Sequence, residues 1–165
     1  MKLYKEKTIC FSGHRNLPTN SYQYEKLWID LYEEIEKAIK DGFDTFLMGA
    51  CYGFDLLAAE MVLVQKTLII KEQKRIKLIA AIPFKEQAAK WKEKDREKYF
   101  KILKQCDEVI YVNIQYSFNC YHKRNRFMVD NSSRLICYYD GGKSGTGYTV
   151  HYAKKMGCEE INLYK

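Results

Sequence analysis

No apolar run in the chain approaches the ~20 residues that a membrane-spanning helix needs. The opening stretch, MKLYKEKTICF, is too charged and its apolar part too short for a signal peptide, so the expected location is the cytoplasm. The six cysteines, Cys10, Cys51, Cys106, Cys120, Cys137 and Cys158, contain no C-x-x-C pair. With no secretion signal either, a disulfide framework is not expected. Cys10, Cys106 and Cys137 sit in or beside apolar runs and read as buried thiols. His14, His122 and His151 lie far apart without an H-E-x-x-H pattern, so no metal is called for. Internal repeats, linkers and low-complexity tracts are also missing. That leaves one domain over residues 1–165, long enough for one core.

What is present is ordinary for a folded chain: 47% hydrophobic and 30% charged residues, which argues against disorder. The net charge of +7 invites a nucleic-acid reading. The lysines of stretches 71–77 and 85–104, however, are mixed with Glu and Asp, the mark of a solvated surface. A positive field still favours anionic ligands.

Apolar runs and helical periodicity alternate along the chain. Strands are expected over Lys7–Ser12, Thr45–Met48, Ile76–Ile82, Glu108–Val112, Leu135–Tyr139 and Ile161–Tyr164. Between them the spacing predicts helices from Ser21 to the Asp41-Gly42 stop, from about Asp55 to Ile69, over Lys85–Gln105, over Tyr121–Asp130 and over Tyr148–Met156. Strict alternation gives an α/β fold, a Rossmann-like, mostly parallel sheet with helices on both faces. Ligands of such sheets bind beyond the carboxyl ends of the strands.

The residues that follow the strands are therefore the candidates for a site. After the first come Ser12, Gly13, His14 and Arg15; after the second Gly49, Ala50, Gly53 and Asp55; after the third Pro83 and Phe84. After the fifth comes a glycine-rich turn that includes Gly141, Gly142, Ser144, Gly145 and Thr146. Strand, glycine turn and helix together bring free backbone N–H groups and a positive helix end to one point, which suits a phosphate. Arg would neutralise charge and Asp could accept ribose hydroxyls. Each also has a plainer reading: glycines that only end strands, an Asp55 that only caps its helix, a Glu60 that is only surface charge. The run Lys123, Arg124, Asn125, Arg126 reads by itself as a basic solvated turn.

Taken together, S-G-H-R, G-A-C-Y-G-F-D-L-x-A-A-E, I-P-F-x-x-Q-x-x-x-W, R-N-R-F-M-V-D and D-G-G-K-S-G-T-G-Y-T-V resemble the YpsA family of the SLOG superfamily, from about Thr8 to Gly157. The resemblance implies a Rossmann-like fold and a nucleotide or an ADP-ribose- or NAD-derived ligand, with Arg124 and Asn125 joining the ligand-binding set. It implies a homodimer or larger assembly. The same superfamily holds phosphoribohydrolases with P-G-G-x-G-T-x-x-E, whose Glu and upstream Arg serve catalysis, and the single-stranded-DNA-handling protein DprA. Arg124 and the loop match the hydrolases, but Thr149, or Tyr148 under a shifted gap, stands where they keep Glu. Neither is an acid or base near neutral pH. The leading expectation is thus a nucleotide sensor or carrier. A nucleotide N-glycosidase, with Asp55 or Glu60 in place of the missing Glu, is the alternative, and a DprA-like single-strand binder the second alternative. Phe84 or Trp91 would border the base, with Trp91 fitting the core better.

Overall fold

A computed structural model describes residues 2–72 and 74–165; Met1 and Gln73, the latter inside the lysine-rich stretch 71–77, lie outside the described residues. The apolar runs form six strands: β1 (Thr8–Gly13), β2 (Thr45–Met48), β3 (Lys77–Ile82), β4 (Glu108–Tyr111), β5 (Arg134–Tyr138) and β6 (Glu159–Asn162). All pair in parallel, in the order β4-β3-β2-β1-β5-β6. The intervening helices are α1 (Ser21–Lys40), α2 (Phe54–Ile69), α3 (Glu93–Leu103), α4 (Cys120–Asp130) and α5 (Gly145–Lys155).

Strand alternation sorts the core into two layers. Ile9, Phe11, Phe46, Met48 and Leu78 face one way and pack against Leu31, Leu57 and Ile102 of α1, α2 and α3. Cys10, Leu47, Ile79 and Leu135 face the other way, against Met128 of α4 and Val150 of α5. The central strands are apolar on both sides because both sides are covered. Right-handed crossovers explain the rest. Moving outward from β1 to β4 places three helices on one face; returning to β5 and β6 places the last two on the other. The direction reverses between β1 and β5, and a crevice opens beyond their carboxyl ends.

The element boundaries hold to within a few residues, with two corrections. The expected helix over Lys85–Gln105 is helical only over Glu93–Leu103. Ahead of it the chain makes successive tight turns, Gln87 N–H to Phe84 O, Ala89 N–H to Glu86 O and Trp91 N–H to Ala88 O. Gln87 and Ala88 are both buried in this stretch of turns. Second, α5 begins at Gly145 and not near Tyr148. Ser144 caps it, its hydroxyl accepting from Gly147 N–H at 3.1 Å, so Gly145, Thr146 and Gly147 form the first turn of the helix. Among the described residues no helix is long and apolar enough to cross a membrane.

Candidate functional site

A cleft of about 660 Å³ occupies the crevice at the switch point. Its walls come from the ends of β1 and β5 and the starts of α2, α4 and α5, and they include Ser12, Gly13, His14, Arg15, Cys51, Asp55, Arg124, Asn125, Ser144, Gly145 and Thr146.

The inner wall begins with α4. Its buried residues, Cys120, Arg124, Asn125, Met128 and Val129, form an inward stripe at helical spacing, whereas Lys123 and Arg126 face solvent. The basic run is thus split by helix geometry, with two members turned into the protein. Arg124 is 4% exposed. Its Nη1 donates to Gly49 O at 2.6 Å and to Ala81 O at 3.4 Å, and its Nε donates to Asn125 Oδ1 at 2.8 Å. The guanidinium therefore points at the ends of β2 and β3, not at the loop 141–146. It fits only because residue 49 is glycine: a Cβ there would lie 2.3 Å from Nη1.

Asp55, the second residue of α2, does not cap the helix in the expected way. Gly53 is the N-cap, and Asp55 Oδ2 accepts from Cys51 N–H at 3.3 Å. Burial pushes its carboxyl up from 3.8 to about 6, against the opposing pull of Arg124, the Cys51 N–H and Arg15. The turn between β2 and α2 is held by Ala50, which takes a left-handed φ of 55°. That conformation costs a non-glycine residue about 1–2 kcal/mol. Here it presents the Gly49 and Ala50 carbonyls to Gln87 Nε2, at 3.3 and 3.5 Å. Gln87 was not among the expected site residues. The available signal was the Gln of the I-P-F-x-x-Q stretch, which is residue 87.

The outer wall is the loop after β5. Gly141 has φ +89°, and Gly142 N–H donates to Asp140 Oδ1 at 2.9 Å, a turn built on the aspartate side chain. That bond, aided by His14, holds the Asp140 carboxyl below its usual range. His14 Nε2 lies 2.9 Å from Asp140 N and 3.1 Å from Asp140 Oδ1, so His14 joins the ends of β1 and β5. At the start of α5 the N–H groups of Gly145 and Thr146 have no partner among the described residues. Nor do Ser12 Oγ, Thr146 Oγ1 or Asn125 Nδ2, although these three residues are only 8%, 7% and 8% exposed.

Several expected residues lie off this cleft. Gly141 and Gly142 border a second cavity, between α4 and α5, with His122 and Tyr148. Gly53 borders a third groove with Arg15 and Trp91. Gly49 and Ala50 lie behind the wall. Pro83 O accepts from Asn113 Nδ2, and the Phe84 ring packs edge-on against Tyr116 and Tyr121. Trp91 packs between Tyr52 and Tyr99. Glu60 is paired with Lys98 at 3.1 Å on the surface between α2 and α3. Thr149 is fully buried and donates its hydroxyl to Gly145 O at 3.1 Å, so its side chain is turned from the cleft. Cys51, Tyr138, Asp140 and Tyr164, which also line the cleft, were not singled out by the sequence.

A model of the YpsA family, described as the YspA SLOG family, matches residues 9–164. The SPbeta prophage-derived protein YoqJ of Bacillus subtilis strain 168 is 34% identical over 143 residues, 79% of this chain and 81% of that one. A UPF0398 protein of Bacillus cereus strain B4264 is 32% identical over 166 residues, 96% of this chain and 87% of that one. Among solved structures, DNA processing protein A of Helicobacter pylori, described for its single-stranded DNA binding, superposes with a TM-score of 0.67 at 16% identity. The match covers 98% of this chain and 66% of that one, and at such identity the likeness is one of fold.

Proposed function

This chain belongs to the YpsA family of SLOG proteins, and from that premise we propose that it binds a phosphate-bearing nucleotide or an ADP-ribose-like ligand in the cleft between β1 and β5, as a sensor or carrier. One observation carries the reading. Ser12, Asn125 and Thr146, each mostly buried, present polar atoms without a protein partner to a cleft that also holds two guanidiniums and the free N–H groups of α5. A hydrogen bond from such a group to a charged phosphate oxygen contributes about 1.5–3 kcal/mol. The α5 N-terminus and Arg15 take the phosphate, and Asp55 accepts ribose hydroxyls. The test is native mass spectrometry of protein purified from cells, followed by calorimetry with AMP and ADP-ribose. A co-purified nucleotide or saturable binding is expected; a cleft that takes up neither, in folded protein, rejects the reading.

A second reading, cleavage of the N-glycosidic bond, rests on Asp55. It is a buried carboxyl held up to about 6, close to where a general acid works best near neutral pH. It is favoured over any residue of α5, because Thr149 is buried in that helix. Release of free base from AMP, lost in Asp55→Asn, would establish it. A single-strand nucleic-acid reading draws on the groove where Arg15, Lys90, Lys92 and Lys94 border Tyr52 and Trp91. Binding along such a groove weakens steeply with salt, whereas a small nucleotide in the cleft responds far less.

A further inference from the structure

Cys51 differs from the other five cysteines. Cys10, Cys120 and Cys137 are fully buried, and Cys51 and Cys158 are 8% and 7% exposed, so what sets Cys51 apart is where its exposed edge faces. Burial pushes the Cys137 thiol up to about 12, Cys158 to about 11 and the half-buried Cys106 to about 12. A thiol that keeps its proton is a poor nucleophile. Cys51 lines the cleft, just ahead of the α2 N-terminus. Arg124 Nη2 lies 3.6 Å from its Sγ. Arg15 is its other cationic neighbour: burial weakens the Arg15 charge, but Cys51 and Tyr52 more than offset this and hold its proton tightly. Gln87 Oε1 receives the thiol at 3.9 Å. The one carboxylate beside it, Asp55, is outnumbered by the two guanidiniums. The unpartnered Ser12, Asn125 and Thr146 atoms in the same cleft point independently to an anionic occupant.

We propose that Cys51 is a modification site: a hydroperoxide entering the cleft oxidises it to a sulfenate, which sits between Arg15 and Arg124 and shuts the nucleotide out. The exclusion rests on the reading of the cleft as a phosphate site. In the step, the sulfur gives its proton to solvent and attacks one peroxide oxygen. The S–O bond forms as the O–O bond breaks, and the departing oxygen takes up a proton and leaves as water or an alcohol. Sulfur loses two electrons and the peroxide gains them. The sulfenic acid so formed gives its proton to solvent, and the sulfenate is held by the same guanidiniums that would hold a phosphate oxygen.

The test uses the full chain, treated with hydrogen peroxide in the presence of dimedone and then mapped by peptide mass spectrometry. The adduct is expected on Cys51 ahead of every other cysteine, and saturating ADP-ribose is expected to suppress it. Peroxide without dimedone should abolish ADP-ribose binding in the wild type. Whatever affinity Cys51→Ser retains should pass unchanged through the same treatment. An adduct on Cys106 or a core cysteine with none on Cys51 overturns the assignment, as does peroxide sensitivity that persists in Cys51→Ser. If untreated protein does not bind ADP-ribose, the exclusion falls with the nucleotide reading, while the adduct position still decides whether Cys51 is the reactive thiol.

Discussion

The two walls of the cleft are built on different principles. On the β2 side, Gly49, Asp55, Gln87, Arg124 and Asn125 are buried or nearly so; Gly49 O accepts from Gln87 and Arg124, Arg124 donates to Asn125, and Asp55 accepts from Cys51 N–H. On the β5 side, residues 140–145 are exposed, and the turn rests on an aspartate side chain, a serine cap and one imidazole. The first wall is part of the fold, because its polar groups lose their partners if it opens. The second is attached to the fold and offers its free groups outward. Substitutions in the first wall should therefore change stability and binding together; those in the second should change binding alone.

The largest effect is expected from Arg124→Ala. It leaves Asn125 Oδ1 without its donor and Gly49 O with Gln87 alone, and it removes the charge that opposes the burial of Asp55. Breaking a buried charged cluster in this way costs about 3–5 kcal/mol, to be read by denaturant unfolding. A variant as stable as the wild type would show that this wall is not structural. Binding of ADP-ribose should also weaken by roughly 10- to 150-fold if the guanidinium contributes a charge-assisted bond of about 1.5–3 kcal/mol.

Asp55→Asn comes next, with the opposite sign. The folded state binds the Asp55 proton more tightly than the unfolded chain, since its carboxyl is raised from 3.8 to about 6. That contribution to stability is complete below the unfolded value and is lost as pH rises through about 6. Asparagine keeps an acceptor for Cys51 N–H and escapes the loss. Without ligand, the variant should therefore gain on the wild type between about pH 4 and about pH 7, by up to about 3 kcal/mol. A stability difference that stays flat with pH would mean that Asp55 is solvated and not part of the buried wall. Gly49→Ala follows, with an expected cost of about 1–3 kcal/mol as the new methyl drives the Arg124 guanidinium from its seat.

The two walls were also unequally legible in the sequence. Glycine, serine and lysine after a run such as Leu135–Tyr139 announce a turn whatever surrounds them, so the exposed loop could be read locally. Its internal division could not, because Ser144 could cap α5 or continue the loop until the hydroxyl's partner was known. The strands and their alternation with helices were legible for the same local reason. The buried wall depends on residues far apart in the chain: Gly49 and Arg124, or Gln87 and Ala50. Arg124 and Asn125 could be picked out only through a family resemblance, since Lys123 and Arg126 beside them look the same in sequence. Gln87 and Cys51 were passed over, the former because the surrounding charge suggested an unbroken helix. Thr149, which the sequence offered beside Tyr148 as the counterpart of the hydrolases' Glu, is buried within α5 and belongs to the helix packing.

The smallest change in stability, with a large change in binding, is expected for Gly145→Val, the variant that separates the two walls most sharply. Gly145 opens α5, and a Cβ built on it meets no atom within 4 Å. Its φ is not among the left-handed ones, so valine meets no backbone strain there. The first helical turn tolerates a branched side chain, because no preceding turn crowds it. Unfolding should shift by no more than about 0.5 kcal/mol, the range of ordinary surface substitutions. The space that the side chain fills is the space through which a phosphate would reach the N–H groups of Gly145 and Thr146, so ADP-ribose binding should fall below detection by calorimetry. Gly147, two residues on, is not a neutral control. A Cβ there would lie 2.9 Å from Gly142 O and 3.0 Å from the Tyr139 hydroxyl, so Gly147→Val should disturb the loop itself. Lys143→Ala serves better, as residue 143 is exposed and borders only the cavity between α4 and α5. If Gly145→Val binds like the wild type while Arg124→Ala does not, the phosphate belongs to the buried wall and the glycine loop only closes the cleft.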